Sequence, residues 1–222
     1  MFRIKICGIT NVPDAQVVAA AGADAVGLNF YEPSPRCITL TVANAIKSSL
    51  PPQVTKVGLF VDAALERVRE VIDQVRLDAV QLHGHESPEY LAQLAGVPVI
   101  KVFRPQRGLE EIGHYLEECR QRNCLPKMVL IDAYDPSQMG GTGKRADWLA
   151  IVTGRKVLAG LPLMLAGGLT PNNVATAIAT VAPHAVDTAS GVESAPGKKD
   201  GELVRQFVAA AQLAFEKQPP PH

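Results

Sequence analysis

The sequence predicts an α/β fold: a closed (β/α)₈ barrel of eight parallel strands, each followed by a helix. Three observations carry that expectation. Short β-branched runs alternate with longer segments of helical period, eight of each. Most of the runs are apolar without alternation, as strands covered on both faces are. Dividing 222 residues among eight units leaves about 28 each, enough for a strand, a loop and a helix and not for a second domain. One barrel domain over residues 1–222 is therefore expected, with a polar, proline-rich tail at 216–222 that should be disordered. A doubly wound open sheet shares the same alternation and stays open as an alternative.

In chain order the strands are read at 3–7, 25–30, 56–60, 79–82, 97–102, 128–132, 162–166 and 185–188. The segment 62–75 opens on Asp62 as a capping residue and repeats apolar side chains at Val68, Val71, Ile72 and Val75, the spacing of one helix face. Thr170 followed by Pro171 reads as an N-cap with proline at the first helical position. The closing helix is read at 202–215, with Leu203, Phe207, Ala211 and Ala214 on one stripe.

Composition excludes several classes of function. Lys and Arg total 22 and Asp and Glu total 22, so no net field draws nucleic acid or an anionic membrane surface. An anionic small molecule must be met by local groups. Lys5 interrupts the first apolar stretch and no run of about 18 apolar residues follows, so neither a leader nor a membrane span is expected. Cys7, Cys37, Cys119 and Cys124 show no CxxC spacing and no histidine at zinc-finger distance, and read as reduced thiols of a cytoplasmic protein.

In a parallel barrel the chemistry gathers where the strands end. Strand one ends at Cys7-Gly8, strand four runs into Gln81-Leu82-His83-Gly84, strand six ends at Asp132, strand seven at Gly167-Gly168, and strand eight at Asp187 with Ser190-Gly191 following. Cys7 reads either as a buried thiol acting as a small hydrophobe or as a general base or nucleophile. Asp132 closes an apolar strand, where an unpaired carboxylate would be costly, so it is either an ion-paired cap or an acid. A thiol and a carboxyl act as base and acid near neutral pH only if their surroundings push their pKa values toward each other.

The glycine loops at Gly167-Gly168 and Ser190-Gly191 stand where barrel enzymes often bind phosphate through backbone N–H groups, and tight turns are the alternative. Gly140-Gly141-Thr142-Gly143-Lys144 lacks the first glycine of a Walker A loop. It reads as flexible backbone approaching a ligand, or as a solvated turn. His83-Gly84-His85-Glu86 matches no standard metal spacing, so no metal is expected. Arg36, in the loop after strand two, can clamp a carboxylate at two points or simply face solvent.

Taken in order, Lys5-Ile6-Cys7-Gly8-Ile9-Thr10, Ser34-Pro35-Arg36, Gln81-Leu82-His83-Gly84, Asp132, the glycine stretch ending at Lys144, Asp147-Trp148, Ala166-Gly167-Gly168-Leu169, Ser190-Gly191-Val192-Glu193 and Pro196-Gly197-Lys198-Lys199-Asp200 resemble the phosphoribosylanthranilate isomerase family. The resemblance runs the length of the chain. Its departures are Ala189, where serine is common, and Ala146, where an aromatic is common.

The resemblance implies an Amadori rearrangement of N-(5-phosphoribosyl)anthranilate in tryptophan biosynthesis, without a cofactor. Asp132 resembles the general acid on the ribose ring oxygen and Cys7 the general base at C2. Arg36, Gln81, His83, Gly141, Gly143 and Asp187 fall at positions that bind substrate, with Arg36 on the anthranilate carboxylate. Gly167, Gly168, Ser190 and Gly191 fall at phosphate-binding positions. The expected partner is the small-molecule substrate, with no nucleic acid or membrane, for a monomer or homodimer.

The rivals are another phosphosugar barrel and a catalytically silent phosphate-sensing module. A metal-dependent epimerase would want more strand-end histidines than His83. An indole-3-glycerol phosphate synthase would want a Lys/Glu pair, and Lys5 is read as lying in the wrong phase of strand one.

Overall fold

The computed structural model describes residues 2–105, 108–132 and 148–218. Eight strands pair in parallel in chain order: β1 (Ile4–Cys7), β2 (Ala25–Asn29), β3 (Thr55–Phe60), β4 (Ala79–Leu82), β5 (Val99–Phe103), β6 (Met128–Asp132), β7 (Leu163–Ala166) and β8 (Ala185–Thr188). β8 then pairs with β1, Ile4 opposite Val186 and Lys5 opposite Asp187, which closes the barrel and removes the open sheet. The helices are α1 (Val12–Ala20), α2 (Leu40–Ser49), α3 (Leu65–Val75), α4 (Pro88–Ala92), α5 (Glu110–Gln121), α6 (Trp148–Gly154), α7 (Val174–Val181) and α8 (Gly201–Lys217). After β8 comes a 3₁₀ turn, Ser190–Val192, and an antiparallel hairpin of β9 (Glu193–Ala195) and β10 (Lys198–Lys199). Among the described residues no helix is long and apolar enough to cross a membrane.

Two cores follow from the period-two alternation of strand side chains. Ile4, Ile6, Val26, Leu28, Val80, Leu82, Val129, Ile131, Leu163 and Leu165 face the helices. Ala25, Val57, Ala79, Ile100, Val102, Met128, Leu130, Met164, Ala166 and Ala185 fill the barrel. The runs looked uniformly apolar because both faces are buried. The same alternation corrects the reading of Lys5: Ile4 and Ile6 point outward, so Lys5 and Cys7 share the inward phase, and Lys5 is fully buried.

Three local expectations also change. Asp62 does not cap α3, which starts at Leu65 behind Ala64 with no side-chain cap; Asp62 instead accepts from the backbone N–H of His85. α7 starts at Val174, because Pro171 to Asn173 form a turn whose amide at Val174 reaches back to the Thr170 carbonyl. α8 buries Val204, Phe207, Val208, Ala211 and Phe215, a stripe rotated from the expected one. Buried Phe215, with the Arg3 guanidinium 5.4 Å from its ring centre, anchors the last turn, so Glu216 and Lys217 belong to the helix and not to the tail. Residues 219–222 lie outside the described residues.

Candidate active site

Toward the C-terminal ends of the strands the inward phase carries several polar side chains, and these meet. Lys5 Nζ donates to Asp187 Oδ1 at 2.9 Å, joining the two strands that close the barrel. Cys7 stands one inward position above Lys5, its thiol beside β2 at Gly27, where any side chain would collide with it. Burial pushes the Cys7 thiol above its ordinary 9.0; the Lys5 ammonium beside it opposes the shift, and the Asp187 charge adds to it. For Lys5, burial alone would lower the pKa, but Asp187 and the thiol outweigh it and the ammonium is held above its usual range. Asp132 closes β6 in the inward phase of Met128 and Leu130, so its carboxyl and the ion pair on β1 and β8 face one space.

On the far side, Arg104 just past β5 donates from Nε to Asp132 Oδ2 at 3.3 Å and lies with Nη2 2.6 Å from His83 Nε2. His83 Nε2 is itself 3.6 Å from Asp132 Oδ2. Gln81, almost wholly buried on β4, approaches His83 Nδ1 through its amide nitrogen at 3.5 Å, while its Oε1 has no partner among the described residues. An acceptor buried without a donor awaits one.

His83, His85 and Glu86 do not converge. His85 is fully exposed beside Asp62, while Glu86 is buried, accepts from the amides of Asp62 and Gly84, and pairs with Lys101 Nζ at 2.7 Å. Among the described residues no group of three His, Cys, Asp or Glu could hold a metal ion.

Two places at the rim suit anions. The amides of Gly167 and Gly168 make no hydrogen bond among the described residues, and Ser190 and Gly191 open a 3₁₀ turn, whose first amides are orphaned by geometry. The two loops are clamped together. Thr188 Oγ1 donates to the Leu169 carbonyl at 2.7 Å, Asn173 donates to the Gly168 carbonyl, and any Cβ at Gly191 would strike the Leu169 carbonyl.

The second place is Arg36, whose aliphatic stem lies on Gly8, a glycine at φ +75° that leaves no room for a side chain. Ser34, held by Asn29, accepts from the Arg36 amide and fixes the loop. Gly141 and Gly143 lie outside the described residues.

Of the predicted residues, the structure thus gathers Cys7, Gln81, His83, Asp132 and Asp187 at one mouth, with Arg36, Gly167, Gly168, Ser190 and Gly191 on its rim. Lys5, Arg104, Asn173, Glu193 and Lys199 had gone unassigned. The ground for setting aside a synthase also changes. Lys5 is in phase with the interior, but it is sealed against Asp187 below the strand end and not presented at the mouth. Lys5→Met should shift the titration of the Cys7 thiol to higher pH, since the ammonium that favours the thiolate is gone. It should also destabilise the fold by about 3–5 kcal/mol, because Asp187 is left buried and unpaired. A pH titration of the thiol with a parallel melting curve measures both, and an unmoved titration would remove Lys5 from the electrostatics of Cys7.

Titratable side chains at the C-terminal mouth, with unpaired amides and a guanidinium on its rim, are the layout of (β/α)₈ enzymes that do acid–base chemistry on small anionic molecules. Comparison with known proteins narrows the class. A model of the N-(5'-phosphoribosyl)anthranilate (PRA) isomerase family matches residues 4–210. An N-(5'-phosphoribosyl)anthranilate isomerase of Geobacter sp. (strain M21) is 48% identical over 216 residues, spanning 96% of this chain and 98% of the relative. The crystal structure of phosphoribosyl anthranilate isomerase from Thermotoga maritima superposes with a TM-score of 0.83 at 42% identity, over 96% of this chain and 99% of that one. A further crystal structure of the isomerase, in complex with reduced 1-(o-carboxyphenylamino)-1-deoxyribulose 5-phosphate, gives a TM-score of 0.81 at 38% identity, over 96% of this chain and 99% of that one. The chain belongs to the N-(5'-phosphoribosyl)anthranilate isomerase family.

Proposed function

We propose that the chain converts N-(5'-phosphoribosyl)anthranilate to 1-(2-carboxyphenylamino)-1-deoxyribulose 5-phosphate in tryptophan biosynthesis, with Asp132 and Cys7 as acid and base. Asp132 protonates the ribose ring oxygen, the C1–O bond opens, and the aryl nitrogen lone pair forms the Schiff base. The Cys7 thiolate then takes the C2 proton, giving an enolamine that tautomerises to the ketone. Atoms balance without any added reagent.

The observation that carries this reading is that Cys7 and Asp132 close β1 and β6 on the inward phase, so that both face the barrel mouth. Two separated anion sites suit a substrate with phosphate at one end and carboxylate at the other. The unpaired amides of the Gly167 and Ser190 loops take the phosphate, and Arg36 takes the carboxylate. Gln81 Oε1 accepts from a substrate N–H or O–H, with His83 and Asp187 lining the same space.

The test is a fluorescence assay of freshly made phosphoribosylanthranilate with and without a chelator. Consumption indifferent to the chelator is the expected result. Binding without consumption would instead support a silent phosphate-sensing barrel, and loss of turnover on chelation a metal-dependent epimerase-like chemistry.

A further inference from the structure

The Arg36 guanidinium is not free-standing. Its Nε donates to Glu193 Oε1 at 2.8 Å and its Nη2 to Glu193 Oε2 at 2.6 Å, a two-point fork on the side-on edge. Glu193 begins β9 and is itself held from behind: Lys199 Nζ, on the paired strand β10, donates to Glu193 Oε1 at 2.9 Å and to the Ala189 carbonyl at 3.1 Å. The Glu193 and Lys199 side chains are buried to 4% and 1% exposure, whereas Arg36 keeps 22%.

The hairpin that carries the two is pinned to the barrel. Thr10 Oγ1 donates to the Gly197 carbonyl at 2.5 Å, and the Lys199 amide donates to Asp14 Oδ2 at 2.9 Å. A planar guanidinium has five donors, and the fork uses one edge. The end-on edge, Nη1 with the second hydrogen of Nη2, meets no acceptor among the described residues.

We propose that Glu193 is a positioning residue for substrate recognition: locked by Lys199, it grips the side-on edge of Arg36 so that the end-on edge is presented to the substrate carboxylate. This rests on the reading of Arg36 as the carboxylate anchor. The pairing also holds the charges in place. Hydrogen bonding to Glu193 raises Arg36, and at Glu193 burial, which alone would raise the carboxyl, is outweighed by Arg36 and Lys199. With Lys199 balancing Glu193, the guanidinium keeps a full positive charge to offer. A pre-aimed donor pair loses less rotamer freedom on binding than a mobile arginine would.

The experiment compares two probes by calorimetry: the reduced product, which carries carboxylate and phosphate, and ribose 5-phosphate, which carries only the phosphate. Glu193→Gln should weaken the reduced product about tenfold or more and leave ribose 5-phosphate unchanged. Glu193→Asp keeps the charge but withdraws the fork by one methylene, and should show the same selective loss to a smaller degree. In an Arg36→Ala background neither change should have any further effect.

Equal weakening of both probes would mean that Glu193 only packs the hairpin. If Arg36→Ala weakens the reduced product while both Glu193 variants bind it normally, the inference falls and the carboxylate role of Arg36 stands. Normal binding by Arg36→Ala would overturn both. Should Glu193→Gln not fold, Glu193→Asp decides alone.

Discussion

Asp132→Asn is expected to lower kcat by about a hundred- to ten-thousandfold, the usual weight of a general acid, while affinity for the reduced product hardly moves. Asparagine preserves the shape of the side chain and can still accept from Arg104 Nε, which lies 3.3 Å from the carboxylate. The geometry of the β5–β6 rim should therefore survive. What it cannot do is hand a proton to a developing alkoxide and take one back. The reduced product no longer needs ring opening, so its binding reads the pocket and not the acid. Turnover within about tenfold of the unaltered protein would show that the ring oxygen is protonated by another group.

Cys7→Ala should depress kcat by a comparable factor with little change in KM, since a base acts in the transition state and not in ground-state binding. The working form is the thiolate, which burial makes the minor form at neutral pH. A variant that changed only KM would make Cys7 a packing residue.

The strands were legible because burial on both faces leaves unbroken apolar runs, and all eight of their C-terminal ends fall within a residue of the expected position. Cys7 and Asp132 were legible because a polar residue closing such a run is conspicuous. Lys5 was not. Its burial depends on a partner 182 residues away that meets it only when β8 closes on β1. The grip of Glu193 on Arg36 spans 157 residues and depends on a two-residue strand too short to carry a period. Arg104 follows its strand like any solvated arginine, and only the pairing of β5 with β4 and β6 brings it onto Asp132 and His83. Helix starts were the weakest part: Asp62 carries good capping chemistry that a loop of the barrel mouth uses otherwise, and a turn separates Thr170 from the start of α7.

The ionic contact between Lys5 and Asp187 lies inside the staves of the barrel, where two aliphatic side chains of similar bulk would sit at least as comfortably. The seam at which the cylinder shuts therefore also holds a sequestered pair of opposite charges, directly beneath the Cys7 sulfur. Robustness and reactivity draw on the same pair of residues, and neither can be tuned there without touching the other.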